Sequence, residues 1–372
     1  MIQRLAEIRR EEGPLYFDRY MDSILYDPRS GYYRQGKSPI GAQGDFVTLP
    51  ETTPLFAETL ARVLAPCFAA GLKRTLIEVG PGSGRLAEGL VRALGQIGME
   101  LEHYVLVEPD RGLWPMQQAL LTSCLPDRAL PFVWCESPPT DWSGMLVMNE
   151  IVDAWPVALV EKSESGWVEW GVDICAGCPT LEKLPLRASV GACISRIEAQ
   201  VGPLPVCYRT ECNPALEAQL GRILAGCGDG AALIIDYGHS RRHYYHPERS
   251  MGTLQCYLHQ LVHDDPLYAP GVQDVTAMVD FTALAEAGER LGWALSGYAP
   301  LAPFLLAAGL LETARPGLPD PAGRVDEVPR SREILRLTEP HESGELFKVM
   351  MLEKGDVPDV AVFADSDQSD RL

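Results

Sequence analysis

The spacing of hydrophobic and polar positions changes several times along the chain, and each change predicts a different element. Residues 1–30 carry apolar positions at mainly helical spacing and end in the turn sequence YDPRSG at residues 26–31. Residues 34–50 are rich in glycine and proline and poor in apolar side chains, which predicts a loop. Helical spacing returns over residues 54–70, where the apolar positions are Leu55, Phe56, Leu60, Val63 and Leu64.

Short apolar runs then alternate with helical stretches, which is typical of an α/β protein. Residues 75–79 form such a run, and a glycine-rich turn and a helical pattern over residues 85–94 follow it. Further runs at residues 103–107, 132–134 and 145–148 predict three more strands. Strands that alternate with helices imply a parallel sheet that is covered on both faces.

The pattern changes again after the fourth strand, and this change suggests how the domain is divided. Residues 157–186 contain alternating stretches that predict an antiparallel insertion before the fifth strand, and that strand is expected at residues 231–235. A helix near residues 281–291 and strands near residues 293–298 and 346–352 follow. We therefore expect a helical N-terminal segment and lid loop over 1–71, core segments over 72–156 and 230–355, an insertion over 157–229, and a disordered acidic tail over 356–372.

Charge and composition narrow the partners and the location. The 372-residue chain has 51 acidic and 32 basic residues and a net charge of −19. Such a surface repels phosphate backbones and attracts cations, so we expect no nucleic-acid partner and favour a basic protein segment or a small molecule. No apolar run reaches the roughly 18 residues of a membrane span, and the N-terminus resembles neither a signal nor a transit peptide. We expect a cytoplasmic protein without a membrane partner, and we leave a homodimer open.

The cysteines raise the question of a metal site. Six of the ten lie between Cys175 and Cys227, and Cys175 and Cys178 form a C-x-x-C motif. Structural zinc needs a second pair at fitting spacing, for which Cys207 and Cys212 are only a loose candidate. We favour ordinary reduced thiols over zinc or redox chemistry and expect no metal.

Residues 78–84, with the sequence EVGPGSG, are the first candidate binding motif. Gly80, Gly82 and Gly84 permit a sharp turn and a close backbone approach to a ligand, and the following helix offers free N–H groups at its N-terminus. The spacing differs from the G-x-G-x-x-G of dinucleotide sites. Glu78 fits a site for S-adenosylmethionine (SAM), whose ammonium it can engage through ordered water. The alternative is a glycine-rich turn without a ligand.

Polar residues follow the other predicted strands at their carboxyl ends, where open parallel sheets bind ligands. Glu108 follows the second strand and can accept both ribose hydroxyls of a nucleoside, although by itself it also fits a solvated acid. Asp236 follows the fifth strand. With His239 it either supplies acid–base chemistry or forms a structural turn, and the sequence leaves both alternatives open.

Residues 149–156 follow the fourth strand, where a methyl acceptor is expected. Asn149, Glu150 and Asp153 are the candidate catalytic residues, because an amide and two carboxylates can hold a cationic or polar acceptor in line with a sulfonium methyl group. If residues 150–153 form one helical turn, both carboxylates face the same cleft. The alternative is a helix N-terminus whose acids favour its dipole.

The chain resembles the MidA-like SAM-dependent methyltransferases, a family that includes mitochondrial protein arginine methyltransferases. The resemblance runs from about residue 13 to residue 353 and depends on motifs that occur in order. These are GYY at 31–33, GDFVTLPE at 44–51, FAE at 56–58, EVGPGSG at 78–84, Asn149 and Glu150 with Asp153 and Pro156, DYGH at 236–239, GTL at 252–254, DVT at 274–276, VDF at 279–281 and ELFK at 345–348.

The resemblance implies a class I (Rossmann-like) methyltransferase core with a mostly parallel sheet, a helical segment over the cofactor site, and an insertion before the fifth strand. It implies that Gly80, Gly82 and Glu108 bind SAM, and that Asn149, Glu150 and Asp153 border the acceptor. Asp45, Thr48 and Glu51 would lie in the loop that covers the cofactor, so we expect residues 36–51 to act as a lid.

Departures from the family pattern lie on the acceptor side, at Leu49, Ile151, Val152 and Trp155. The sequence thus predicts a SAM-dependent methyltransferase that acts on a protein arginine or on another nitrogen or oxygen nucleophile. The alternatives are a small-molecule methyltransferase of the same fold and a non-catalytic SAM-binding assembly factor.

Overall fold

The computed structural model describes residues 1–36, 48–125, 132–315, 327–339, 344–358, 363 and 365–372. The helices are α1 (Ile2–Glu12), α2 (Phe17–Tyr26), α3 (Leu49–Thr52), α4 (Pro54–Ala69), α5 (Arg85–Gln96), α6 (Trp114–Cys124), α7 (Ala188–Val201), α8 (Leu216–Leu224), α9 (Arg241–Tyr244), α10 (Phe281–Arg290), α11 (Leu301–Ala307), α12 (Leu310–Thr313) and α13 (Glu327–Thr338). Within the described residues, no helix has both the length and the apolar character needed to cross a membrane.

The strands alternate with these helices along the chain. They are β1 (Leu15–Tyr16), β2 (Thr75–Val79), β3 (His103–Val107), β4 (Phe132–Cys135), β5 (Trp142–Asn149), β6 (Ala158–Ser163), β7 (Gly166–Cys175), β8 (Cys178–Leu184), β9 (Arg209–Cys212), β10 (Cys227–His239), β11 (Gln255–Leu258), β12 (Leu261–His263), β13 (Asp274–Thr276), β14 (Val279–Asp280), β15 (Ala294–Pro300) and β16 (Phe347–Lys354).

The chain folds into two compact units, and each is built from separate stretches of sequence. The core unit comprises Val47–Glu150, Leu220–Tyr237 and Gly288–Leu372. The accessory unit comprises Met1–Phe46, Ile151–Gln219 and Gly238–Ala287. The sequence-based division differs from this one, because it assigned residues 238–287 to the core and residues 47–71 to the N-terminal segment.

The sheet of the core unit has the strand order β15-β16-β10-β5-β2-β3-β4. The strands from β10 to β4 pair in parallel, and only β16 runs antiparallel to its two neighbours. This is the mostly parallel class I core expected from the sequence. The chain direction across the sheet reverses at β2, which lies between β3 and β5, and open α/β sheets bind ligands at such a switch point.

Packing of the helices on this sheet follows the predicted periodicity. On α5 the buried positions include Leu86, Leu90, Val91 and Leu94, which lie on one face of the helix. Gly89 lies inside this helix where α4 packs closely, and the packing leaves no room for a side chain. A Cβ added there would lie 2.6 Å from the Cβ of Ala57. Residues of both helices belong to one hydrophobic cluster with residues of the core sheet.

The accessory unit contains the antiparallel insertion that the sequence predicts, together with elements that it did not predict. Strands β7, β6, β9 and β1 form an antiparallel sheet, and β8 pairs with β7 through a two-residue turn. Cys175 and Cys178 lie opposite each other beside that turn, and both are exposed free thiols. In the part of the chain that is described, no group of three or more metal-ligating side chains comes together. Helix α7 and the small sheet β12-β11-β13 were missed.

The C-terminal tail corrects one expectation. We expected residues 356–372 to be disordered, but their described part is folded onto the core unit. The buried ring of Phe363 lies 5.1 Å from that of Phe304. The backbone N–H of Tyr298 on β15 donates to the side-chain carboxylate of Asp367 at 3.0 Å, and the N–H of Gln368 donates to the carbonyl of Tyr298 at 2.7 Å. An acidic composition does not prevent order where one aromatic side chain fills a core position.

Replacing Phe363 with alanine tests this anchoring. We expect Phe363→Ala to lower the free energy of unfolding by about 3 kcal/mol, because it leaves a cavity against Phe304. Urea titration followed by circular dichroism measures the change. Leu335→Ala is the control, since Leu335 is 58% exposed and its loss should cost less than about 0.5 kcal/mol. Equal stabilities of the wild type and the Phe363 variant would contradict the anchoring role.

Candidate active site

The carboxyl ends of the parallel strands meet at one edge of the core sheet, and backbone hydrogen bonds extend the sheet by one residue there. The N–H of Gly80 donates to the carbonyl of Val107 at 2.9 Å, and the N–H of Glu108 to that of Cys135 at 2.8 Å. The N–H of Glu150 donates to the carbonyl of Ile235 at 2.9 Å. Three of the residues predicted from strand ends therefore start from the same edge, as the sequence implied.

The glycine turn has the backbone conformation that its sequence predicts. Gly80, Gly82 and Gly84 have φ angles of 64°, 54° and 88°, in the left-handed region that favours glycine. Gly84 is also the residue that precedes α5 as its N-cap. A turn of this conformation can bring backbone close to a ligand at the start of a helix, where free N–H groups favour an anionic group.

Helix α3 connects this turn to the residues after β5. The hydroxyl of Ser83 donates to the carboxylate of Glu51, which lies on α3. The N–H of Leu49, the first residue of the same helix, donates to the carboxyl group of Glu150. Thr48 is buried directly before α3. Asp45 and residues 37–47 of the predicted lid lie outside the described residues.

Glu108 is a buried carboxylate held by several donors. Its Oε1 accepts the backbone N–H of Asp110 at 2.8 Å, and the amide nitrogen of Gln117 lies 3.5 Å from its Oε2. The indole of Trp114 donates to its backbone carbonyl at 3.0 Å. A carboxylate fixed in this way can accept a pair of vicinal hydroxyls, as a ribose offers.

Glu78 lies near the end of β2, one residue before the turn, and its surroundings favour the protonated carboxyl group. The hydroxyl of Tyr104 donates to its carboxyl group at 2.6 Å. Burial raises the pKa of Glu78 to about 7, although the hydrogen bond from Tyr104 opposes the shift. A cation bound nearby would lower this pKa again, so the group can respond to an ammonium.

Glu150 combines a strained backbone with a perturbed carboxyl group. Its φ angle is 55°, which is uncommon for a residue with a side chain. Burial, followed by the charge of Asp236, raises the pKa of Glu150 to about 8, against the donors from Asn149 and Leu49. The amide nitrogen of Asn149 donates to its Oε1 at 3.0 Å. Within the described residues, the buried Oδ1 of Asn149 accepts no hydrogen bond.

Asp236 is the acid that lies beside Glu150. Residues 236–239 were considered as a turn, but they continue strand β10 to His239. Because Ile235 is in register with Asn149 on β5, the next residue, Asp236, lies next to Glu150, where it is fully buried. Sequence reasoning placed Asp236 at a strand end and left its role open. His239 belongs to the accessory unit.

No helix connects Glu150 to Asp153 in the way that the sequence predicted. Residues 151–156 form turns and bends, not a helix, so the argument that one helical turn brings Asp153 and Glu150 together is wrong. Asp153 belongs to the accessory unit, where the pKa of the partly buried Tyr26 is raised by burial first and then by the charges of Asp274 and Asp153. There the hydroxyl of Tyr33 donates to both oxygens of Asp274 at 2.8–2.9 Å.

Comparison with known proteins agrees with this geometry. Residues 59–299 match the model of a family described as "Putative S-adenosyl-L-methionine-dependent methyltransferase". The mitochondrial protein arginine methyltransferase NDUFAF7 of Rattus norvegicus is 30% identical over 76% of this chain and 68% of its own, and the Drosophila melanogaster homolog is 28% identical over 75% and 68%. A Burkholderia thailandensis protein is described as a "likely methyl transferase", and its crystal structure contains bound S-adenosyl-homocysteine (SAH). It is 38% identical to this chain over 100% of this chain and 96% of its own, with a TM-score of 0.92.

The fold and these similarities define a class I SAM-dependent methyltransferase. The chain belongs to the MidA-like family of these enzymes, and its cofactor is SAM. The names of the curated relatives place them in mitochondria, and the cytoplasmic location expected for this chain stays a prediction. The same holds for the expectations about nucleic acid, membranes and a homodimer.

Proposed function

We propose that this methyltransferase transfers a methyl group to a nitrogen of an arginine side chain in a protein substrate. The observation that carries the proposal is a pair of neighbouring acids, the half-buried Glu150 and the fully buried Asp236, beside Asn149, whose buried amide oxygen accepts no hydrogen bond within the described residues. Two carboxyl groups in one desolvated place favour a bound cation. The relatives named above are protein arginine methyltransferases, which supports the same substrate class.

The residues around the glycine turn fit the cofactor. Gly80, Gly82 and Gly84 would bring the backbone to the ligand, with Glu78 near its ammonium and Glu108 on its ribose hydroxyls. Thr48 and Glu51 lie on or beside the helix that contacts the turn, and Asp45 stays a prediction. When bound, SAM supplies an electrophilic methyl group on a sulfonium.

The residues after β5 and β10 would hold the acceptor. A guanidinium is planar and donates several N–H groups, so it can satisfy the Oδ1 of Asn149 and the carboxylate of Glu150 together. Asp236 supplies a second negative charge, which attracts the cation and raises the pKa of Glu150. Asp153 stays a candidate for this side of the site through its place in the sequence alone.

Methyl transfer to a guanidinium nitrogen must also release a proton. The N–C bond forms as the C–S bond of the sulfonium breaks, and the proton on that nitrogen moves to the carboxylate of Glu150. A group whose pKa is raised to about 8 accepts a proton more readily than an ordinary carboxylate. Asn149 keeps the carboxylate oriented through its bond to Oε1.

Labelling tests the proposal. The protein is incubated with SAM carrying a labelled methyl group and with a cell lysate, and labelled proteins are hydrolysed and analysed by mass spectrometry. We expect the label on methylarginine, and none with heat-inactivated enzyme. Label on a carboxylate, a thiol or a small-molecule hydroxyl would refute the arginine acceptor while leaving the methyltransferase intact. Tight SAM binding without any labelled product would favour an assembly factor.

A further inference from the structure

Gln117 on α6 joins the two halves of the proposed cofactor site. Its side chain is fully buried, and its amide nitrogen donates to the carbonyl of Gly82 at 2.9 Å. The same nitrogen lies 3.5 Å from Oε2 of Glu108. One amide group therefore reaches both the glycine turn after β2 and the acid after β3.

The orientation of this amide is fixed by a neighbour. The indole N–H of Trp134, on β4, donates to the amide oxygen of Gln117 at 2.9 Å. An indole only donates, so the oxygen of Gln117 must face Trp134 and the nitrogen must face Gly82 and Glu108. A flipped amide would place two donors against each other at Trp134 and an acceptor against the carbonyl of Gly82.

The carboxylate of Glu108 is thus approached from two sides. The backbone N–H of Asp110 binds Oε1 at 2.8 Å, and the amide of Gln117 faces Oε2. The donor at Oε2 opposes rotation of the carboxylate about its terminal bond in the free protein. Holding it in one orientation before the ligand arrives lowers the entropy lost on binding.

We propose that Gln117 is a positioning residue for the cofactor. By binding both groups, its amide fixes the carboxylate of Glu108 relative to the carbonyl of Gly82. The inference rests on the proposed cofactor site. It adds Gln117 as the residue that joins the glycine turn to Glu108. Trp134 acts one step further out, because it decides which end of the Gln117 amide faces the site. Neither residue has to touch the reacting methyl group.

A double-mutant cycle with Glu108 tests this role. Binding of SAH is measured by titration calorimetry for the wild type, Gln117→Met, Glu108→Gln and the double variant. Methionine keeps the length of the side chain and removes the donor. We expect Gln117→Met to weaken binding about tenfold in the wild type and less than about threefold in the Glu108→Gln background, since contacts that act through one another are not additive.

The controls separate positioning from a structural role. Trp134→Phe should weaken SAH binding in the same direction, with the same dependence on Glu108, and it keeps an aromatic side chain at a half-buried position. Equal losses from Gln117→Met in both backgrounds, or no loss at all, would overturn the proposal. If the wild type binds SAH and Glu108→Gln binds it with the same affinity, the proposed ribose contact is wrong.

Discussion

Gly82→Val should reduce the affinity for SAH by at least about a hundredfold. Gly82 has a φ angle of 54°, and a β-branched side chain is strained in this left-handed region. The backbone there cannot relax freely, because the Gly82 carbonyl accepts a hydrogen bond from the buried amide of Gln117. A valine side chain would also occupy space through which the backbone approaches the ligand. Titration calorimetry with SAH measures the loss.

The matched control is Gly98→Val, which follows α5 in the same unit. Gly98 also has a positive φ angle, 77°, and a Cβ added there meets nothing within 4 Å. Both variants therefore carry the same kind of backbone strain, but only Gly82 lies in the proposed site. We expect Gly98→Val to lower the stability and to leave the dissociation constant of SAH unchanged. Unaltered SAH binding by Gly82→Val would remove the glycine turn from the cofactor site.

Sequence alone predicted the parts of the site that depend on a single run of residues. Strand β2, the glycine turn and α5 are contiguous, so the apolar run, the turn residues and the helical period all appear within residues 75–96. Glu108 was found for the same reason, because it directly follows an apolar run. These local signals state which residue ends a strand without stating which strands are neighbours.

The parts that the sequence left open or missed depend on the order of strands and on packing. Asp236 acts on Glu150 only because β10 lies next to β5, and no local pattern gives that order. The sequence analysis did not single out Gln117, because its proposed role depends on where α6 lies beside Gly82 and Glu108. The argument that a helical turn pairs Glu150 with Asp153 was wrong, because the chain leaves β5 through a left-handed residue and not through a helix.

The acceptor side provides the other large expected effect. Glu150→Gln should leave the SAM affinity within a few-fold and cut methyl transfer by about a hundredfold or more, because glutamine can neither carry the negative charge nor take the proton. The rate is measured as single-turnover methyl transfer, at saturating SAM, to the acceptor that the labelling experiment identifies. Glu88→Gln is the control, a buried glutamate of the same unit that is paired with Arg92 on α5. Lost SAM binding with normal turnover at saturating cofactor would make Glu150 a cofactor residue.

The pH dependence of stability and of activity shows whether Glu150 takes the proton during methyl transfer or has a structural role only. Since the folded protein holds a proton on Glu150 up to about pH 8, which an unfolded glutamate releases near pH 4.5, the stability contributed by that proton is lost as the pH rises between these values. The free energy of unfolding of Glu150→Gln should therefore rise relative to the wild type over this window, by at most about 1.4 kcal/mol per pH unit. A cationic acceptor needs the ionised carboxylate, so kcat/KM of the wild type should rise with pH toward 8, and the variant should lack that rise. A stability difference without any change in the pH profile of kcat/KM would mean that Glu150 takes no part in the transfer.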